Sequence, residues 1–186
     1  MAYTKAIRFV LLLAVVLFQT LGTDGNYIND MDGRLHFNCP MANQSISQIQ
    51  SYHVNHYEDR RFKMSCRTLP GNVQYFSTKC YYTGYLNEMD KVLNFNCGRN
   101  GYINGVQSYH SNYYEDRRWK VRCCEVPGMF LVNCSTTSWT NDWDGYQSFT
   151  LPTGQVLSGA YSYHKDYYED RRWKYRTCNV RDGIFD

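Results

Sequence analysis

The 186-residue chain has no CxxC pair among its eight cysteines, so the thiolate spacing of a zinc site is missing and no metal site is assigned. It has no large excess of one charge. Its 20 basic residues face 17 acidic ones, and loss of Lys5 and Arg8 with an N-terminal leader leaves a net charge of +1. A near-neutral protein has no bulk electrostatic reason to bind nucleic acid or an anionic membrane. No apolar period of 3.6 residues runs far enough for a long helix, and no acidic low-complexity tract is present. The only long apolar run is Phe9 to Phe18, preceded by Lys5 and Arg8 and followed by Thr20 and Gly22 at spacings suited to cleavage. Ten residues are too few to span a bilayer, so residues 1–22 read as a secretory signal peptide and 23–186 as the mature domain, with no membrane insertion.

What is present is a stretch written three times. Residues 51–66 read SYHVNHYEDRRFKMSC, residues 108–123 read SYHSNYYEDRRWKVRC and residues 162–178 read SYHKDYYEDRRWKYRTC. The likeness extends upstream, where Asn29, Asn87 and Asn141 align, then Asp32, Asp90 and Asp144, then Phe37, Phe95 and Phe149. Three tandem units follow, at about 27–70, 79–128 and 133–180, punctuated by Pro70-Gly71 and Pro127-Gly128. The mature length suits one domain with a shared core.

Short segments rich in Tyr, Val, Phe and Trp alternate with Asn, Gly, Ser and Asp clusters, which predicts an all-β fold. Three β units in one domain favour a closed, pseudo-threefold arrangement of the trefoil or prism kind, with an open sandwich as the alternative. Alternation in the second copy puts Trp119, Val121 and Cys123 on an inward face and Lys120 and Arg122 outside.

Eight cysteines behind a leader imply disulfides in an oxidising compartment. Counted from the motif aromatic, a cysteine at +4 (Cys66, Cys123) occurs only where an Asn-Cys end (Cys39, Cys97) does. A cysteine at +5 (Cys124, Cys178) occurs only where one precedes the unit (Cys80, Cys134). The expected bridges are Cys39–Cys66, Cys97–Cys123, Cys80–Cys124 and Cys134–Cys178. Asn43 and, more weakly, Asn133 sit in N-glycosylation sequons.

The Glu-Asp-Arg-Arg block and its histidine (His53, His110, His164) invite a catalytic reading, as a hydrolase with a carboxylate pair. An active site is normally one asymmetric constellation, whereas this set is copied with each unit. The structural reading therefore leads, with an Asp–Arg pair at the start of a strand and Arg stacked on an aromatic. In it Asp59, Arg60 and Phe62 form the first motif, Asp116, Arg117 and Trp119 the second, and Asp170, Arg171 and Trp173 the third. No catalytic residue and no cofactor is assigned. Repeated ligand binding is the second reading. Tyr and Trp beside Asn, Asp and Arg suit sugars, and the outward Arg61, Lys63, Arg118, Lys120, Arg172 and Lys174 suit sulfate or carboxylate groups of matrix glycans. The Asn-acid-Met/Trp-Asp segments suit turns better than calcium.

The Asp-Arg-x-aromatic motifs Asp59-Arg60-Arg61-Phe62, Asp116-Arg117-Arg118-Trp119 and Asp170-Arg171-Arg172-Trp173, with the Cys123-Cys124 doublet, resemble the dermatopontin family over essentially the whole mature chain. The family's repeated D-R-[EQ]-W carries Arg here in place of Glu or Gln, and Phe62 replaces one Trp. Neither the tyrosine-rich N-terminal extension of vertebrate members nor an RGD tripeptide is found. The resemblance implies a secreted, non-enzymatic protein of the extracellular matrix, acting in cell–matrix adhesion or matrix assembly. Matrix glycans or proteoglycans are its expected partners, with collagen or cell-surface receptors as further ones. It equally implies the agglutinin role of invertebrate relatives, in which repeated glycan sites bridge cells in innate defence.

Overall fold

Each SYH…YEDRR stretch folds as a long antiparallel hairpin, because two period-2 runs flank a four-residue turn. The turn closes through the amide of its third residue, as in Tyr57 N to Val54 O at 2.9 Å and Tyr114 N to Ser111 O at 3.0 Å. Its last residue, Glu58, Glu115 or Glu169, is left-handed, with φ of 45°, 45° and 42°. A computed structural model describes residues 27–71, 78–98 and 100–182, so the signal-peptide reading of residues 1–22 lies outside the described residues.

The described residues form eleven strands and no helix. In chain order they are β1 (Leu35–Asn38), β2 (Gln44–Val54), β3 (Asp59–Thr68), β4 (Lys79–Tyr82), β5 (Leu93–Asn96), β6 (Tyr102–Ser111), β7 (Asp116–Glu125), β8 (Met129–Thr136), β9 (Gln147–Thr150), β10 (Gln155–Lys165) and β11 (Asp170–Asp182). The hairpins are β2–β3, β6–β7 and β10–β11, and the protein is all-β.

The short strand of each unit does not join its own hairpin. β1 pairs with β6, β5 with β10 and β9 with β2, so the first unit donates to the second, the second to the third and the third back to the first. Strand pairing establishes this cyclic exchange, and it does not assign the trefoil or prism class. Each hairpin carries a bulge where the donated strand ends, at Ser47, Asn104 and Ser158, all buried. A Cβ on Gly105 would lie 2.8 Å from the Phe37 carbonyl oxygen, so only glycine lets β1 approach β6 there.

The inward faces meet in one core that includes Leu35, Ile46, Phe62, Leu93, Ile103, Trp119, Val121, Leu157 and Trp173. A second cluster at the far end contains Leu69, Tyr102, Val126, Met129 and Val156. Disulfides join Cys39 to Cys66, Cys97 to Cys123, Cys80 to Cys124 and Cys134 to Cys178. The first two tie a strand that has left for the neighbouring sheet back to its own hairpin. Loop closure over separations of 27 and 44 residues is worth about 3.5 and about 4 kcal/mol in the chain-entropy account.

Candidate functional site

The starts of β3, β7 and β11, just past the hairpin turns, bring the three Asp-Arg pairs together, and they pair between units rather than within one. Arg117 donates to Asp59 through Nε and Nη2 at 2.6 Å each, and Arg171 donates to Asp116 at 2.6 and 2.7 Å. Arg60 closes the ring on Asp170 at 2.6 and 2.7 Å. All six residues are only 3–4 % exposed. A buried ion pair repays its desolvation only with good geometry and further hydrogen bonds, and both are present. Each Asp also accepts a loop amide of its own unit, from Asp32, Asp90 or Asp144, at 2.8–2.9 Å. Each Arg also donates to a carbonyl in the unit it reaches, at Gly33, Lys91 or Gly145. The sequence reading placed the Asp–Arg contact at one strand start; because the returning strands β3, β7 and β11 start side by side, the contact crosses the seam instead.

The Asn-acid-Met/Trp-Asp loops set the outer wall. Asn29 stands in for a strand neighbour, donating to Arg60 O and accepting from Phe62 N, both at 2.9 Å. Asn87 and Asn141 repeat this on the other two hairpins. Three residues on, Asp32, Asp90 and Asp144 are left-handed, with φ of 57°, 61° and 54°, which aims their amides at the ring. Above the ring lie His53, His110 and His164, with side chains 1 % exposed, each against the turn Glu of its own hairpin and the loop Asp of the preceding unit. Below it are the motif aromatics, with Phe62–Trp119 and Trp119–Trp173 centroids 5.3 and 5.0 Å apart, edge to face. Glu, His, Asp, Arg and aromatic of all three units line one narrow cavity of about 20 Å³, room for a water or two.

Two shifts give the site a pH signature. Burial pushes the Asp170 carboxyl up, but the two hydrogen bonds from Arg60 and the nearness of Arg60 and His53, the latter 3.6 Å away, more than reverse this and hold it down at about 2. Burial pushes His53 down, and the Asp170 carboxylate more than reverses that, leaving it above 6.5. Asp170 then stabilises the fold, on the order of 2 kcal/mol, above its unfolded value of 3.8, and the contribution is lost as pH falls toward 2. His53 contributes fully below 6.5 and loses its contribution as pH rises through its folded value. Burial also raises Asp90, Asp144, Glu115 and Glu169, and that contribution likewise fades as pH rises. Urea midpoints measured in the presence of chelator from acid to mildly alkaline pH should therefore peak in the mildly acidic range. A midpoint still climbing at neutral pH contradicts the assignment.

The outward residues lie on a different face and are held by their own unit. Arg61, Arg118 and Arg172 lie over Tyr27, Tyr85 and Trp139, with guanidinium-to-centroid distances of 4.9, 4.5 and 4.9 Å. They also pair with Asp30, Glu88 and Asp142 at 3.5, 2.7 and 3.1 Å. Lys120 and Lys174 sit over Tyr85 and Trp139 at 4.3 and 4.4 Å, while Lys63 is exposed. Tyr85 and Lys120 border a groove of about 500 Å³ at the seam of the first two units, completed by Arg34, His36, Gln107 and Tyr109. Arg34 and His36 carry no repeat signature, so the sequence did not single them out. Asn43 stands partly exposed before β2, and Asn133 is exposed beside the bridged Cys134.

The family model described as Dermatopontin matches residues 24–182. The chain belongs to the dermatopontin family. It is 40 % identical over 173 residues to a hemagglutinin/amebocyte aggregation factor of Limulus polyphemus, covering 91 % of this chain and 96 % of that one. It is 34 % identical over 152 residues to a dermatopontin of Biomphalaria glabrata, covering 82 % and 99 %. Millepora cytotoxin-1 of Millepora dichotoma is 36 % identical over 151 residues, covering 81 % of this chain and 65 % of that one. No solved structure matches. In this member of the family the Asp and first Arg of each motif form the buried ring, and the second Arg is the one held against Tyr or Trp at the surface.

Proposed function

We propose that this is a secreted, non-enzymatic protein of the extracellular matrix that acts in cell–matrix adhesion or matrix assembly by holding matrix glycans. The observation that carries the reading is the groove between the first two units. Arg34, His36, Gln107 and Lys120 offer donors to sulfate, carboxylate and hydroxyl groups, and Tyr85 and Tyr109 offer ring faces to sugar C–H groups. Membership of the dermatopontin family supports the matrix role. Four disulfides fit an oxidising, extracellular setting. The threefold copying of the His, Glu and Asp set speaks against a single catalytic constellation.

Replacing Arg34 and Lys120 together by Gln should weaken binding to a sulfated glycan such as heparin by about tenfold or more, since hydrogen bonds to charged groups are worth about 1.5–3 kcal/mol each. The denaturant midpoint should stay unchanged, because neither side chain is part of the buried ring. Unchanged retention on heparin would remove the groove from the reading. Similarity to the Limulus hemagglutinin/amebocyte aggregation factor favours a second reading, a lectin-like agglutinin of innate defence. Agglutination of cells that simple sugars inhibit would select it over the matrix role.

A further inference from the structure

The cavity wall contains buried polar atoms with no hydrogen-bond partner. His110 and His164, with side chains 1 % exposed, make no hydrogen bond through either ring nitrogen, and Nδ1 of His53 makes none. Oδ1 of Asp32, Asp90 and Asp144 is buried and unpaired as well. Such groups are few in folded proteins, and each one demands a reason. Here the imidazoles face carboxylates across the seams. Nε2 of His53 is held by Glu58, whereas its Nδ1 lies 3.6 Å from Asp170 Oδ1; likewise His110 Nδ1 lies 3.5 Å from Asp32 Oδ1 and His164 Nδ1 lies 3.6 Å from Asp90 Oδ1. These gaps are too long for hydrogen bonds. They suit an ion between the atoms, since nitrogen and oxygen bound tetrahedrally at about 2.0–2.2 Å stand about 3.4 Å apart.

We propose that each seam binds one divalent cation of the zinc class. In the first seam the ligands are His110 of the second unit with Asp32 and Asp59 of the first, whose ligand atoms all lie within 4.8 Å of one another. His164 with Asp90 and Asp116, and His53 with Asp144 and Asp170, repeat the set under the same limit. Charge fits this assignment. Arg117 already balances Asp59, so Asp32 and Glu115 leave two negative charges beside His110, which one divalent ion cancels. Outer contacts fit as well. With Nδ1 on the metal, Nε2–H of His110 points to Glu115 Oε2, now at 3.7 Å, the carboxylate–histidine–metal relay that orients ligating imidazoles. This also gives a reason for Glu at φ 45° in that turn, where Gly or Asn would be less strained. One nitrogen and two carboxylates with a position left for water suit zinc better than calcium, which takes six to eight oxygens. The ligands of a site come from two units, so no local spacing announces them.

The test uses the oxidised mature chain, freed of metal by chelator, dialysed against Zn²⁺ and assayed for bound metal. Three tight zinc ions per chain are expected, with two remaining in His110→Gln and three in His56→Gln, whose imidazole lies exposed in a turn outside the clusters. Glu115→Gln should keep the count and weaken one site about 10–100-fold. If His110→Gln does not fold, Asp32→Asn asks the same question, because its backbone amide still reaches Asp59. A natively folded wild-type chain that holds fewer than three tight ions, or a folded His110→Gln or Asp32→Asn that holds as many as wild type, overturns the proposal.

Discussion

Replacing Asp116 by alanine should destabilise the protein by about 3–5 kcal/mol, the range seen when one partner of a buried ion pair is removed. Arg171 would lose both bonds at 2.6 and 2.7 Å and keep an uncompensated guanidinium at 4 % exposure. The Asp90 amide, which donates to Asp116 at 2.8 Å, would be orphaned as well. The loss falls on the seam between the second and third units, so it loosens how units meet more than how either hairpin folds. Removing both charges, as Asp116→Leu with Arg171→Met, should cost clearly less, because no buried charge is left alone. Denaturant unfolding of the two variants decides the matter. A single-variant loss under about 1 kcal/mol, or a double variant as unstable as the single, would mean that the ring does not lock the units.

The repeats, the hairpins and the inward face could be read directly because they are local. Tyr-Glu-Asp-Arg-Arg-aromatic fixes a turn and the strand after it, and alternation within that strand sends Trp119, Val121 and Cys123 to the core, where they are 4 %, 5 % and 0 % exposed. What alternation cannot give is the partner. The Asp–Arg contacts span 55 to 110 residues, and identical motifs offer no means of telling which Asp meets which Arg. Strand exchange is hidden for the same reason: Leu35 stands opposite Ser108 of the next unit, though nothing in LHFN distinguishes that edge from its own hairpin's. The hold on the outward arginines did leave a trace. An aromatic two residues before each repeated Asn, and an acid just after it, recur as Tyr27 and Asp30, Tyr85 and Glu88, Trp139 and Asp142, the same groups that Arg61, Arg118 and Arg172 contact. Their direction was legible; that the loop folds back over them was not.

One seam departs from the other two, and it shows what the motif aromatic requires. Gln147 stands on β9 where β1 and β5 have Leu35 and Leu93, and it is fully buried. It joins Ser51 Oγ at 2.9 Å, Thr140 Oγ1 at 3.0 Å and the Tyr175 hydroxyl at 3.0 Å, and Arg60 Nη1 donates to Ser51 as well. At the other seams the corresponding atoms, Ser108 Oγ, Ser162 Oγ, Arg117 Nη1 and Arg171 Nη1, have no partner. The polar network thus sits at the seam whose motif aromatic is Phe62, opposite Ser51.

Trp119 holds the corresponding place in the second unit, opposite Ser108. It is the middle ring of the trio, in edge contact with both Phe62 and Trp173, and it is 4 % exposed. Trp119→Ala should cost about 3–5 kcal/mol, the loss expected for emptying a buried aromatic position. It should exceed the cost of Phe62→Ala, because Phe62 contacts Trp119 and not Trp173 among the ring pairs of the trio. The indole N–H does not account for that loss. Nε1 of Trp119 and of Trp173 is buried without a partner, so Trp119→Phe removes an unpaired donor while keeping a ring, as Phe62 does in the first unit. Its cost should stay near 1 kcal/mol, mostly for the smaller volume. Guanidinium unfolding of the three variants separates the contributions. If Trp119→Phe were as damaging as Trp119→Ala, the indole N–H and not the packed ring would be what the second unit contributes to the centre.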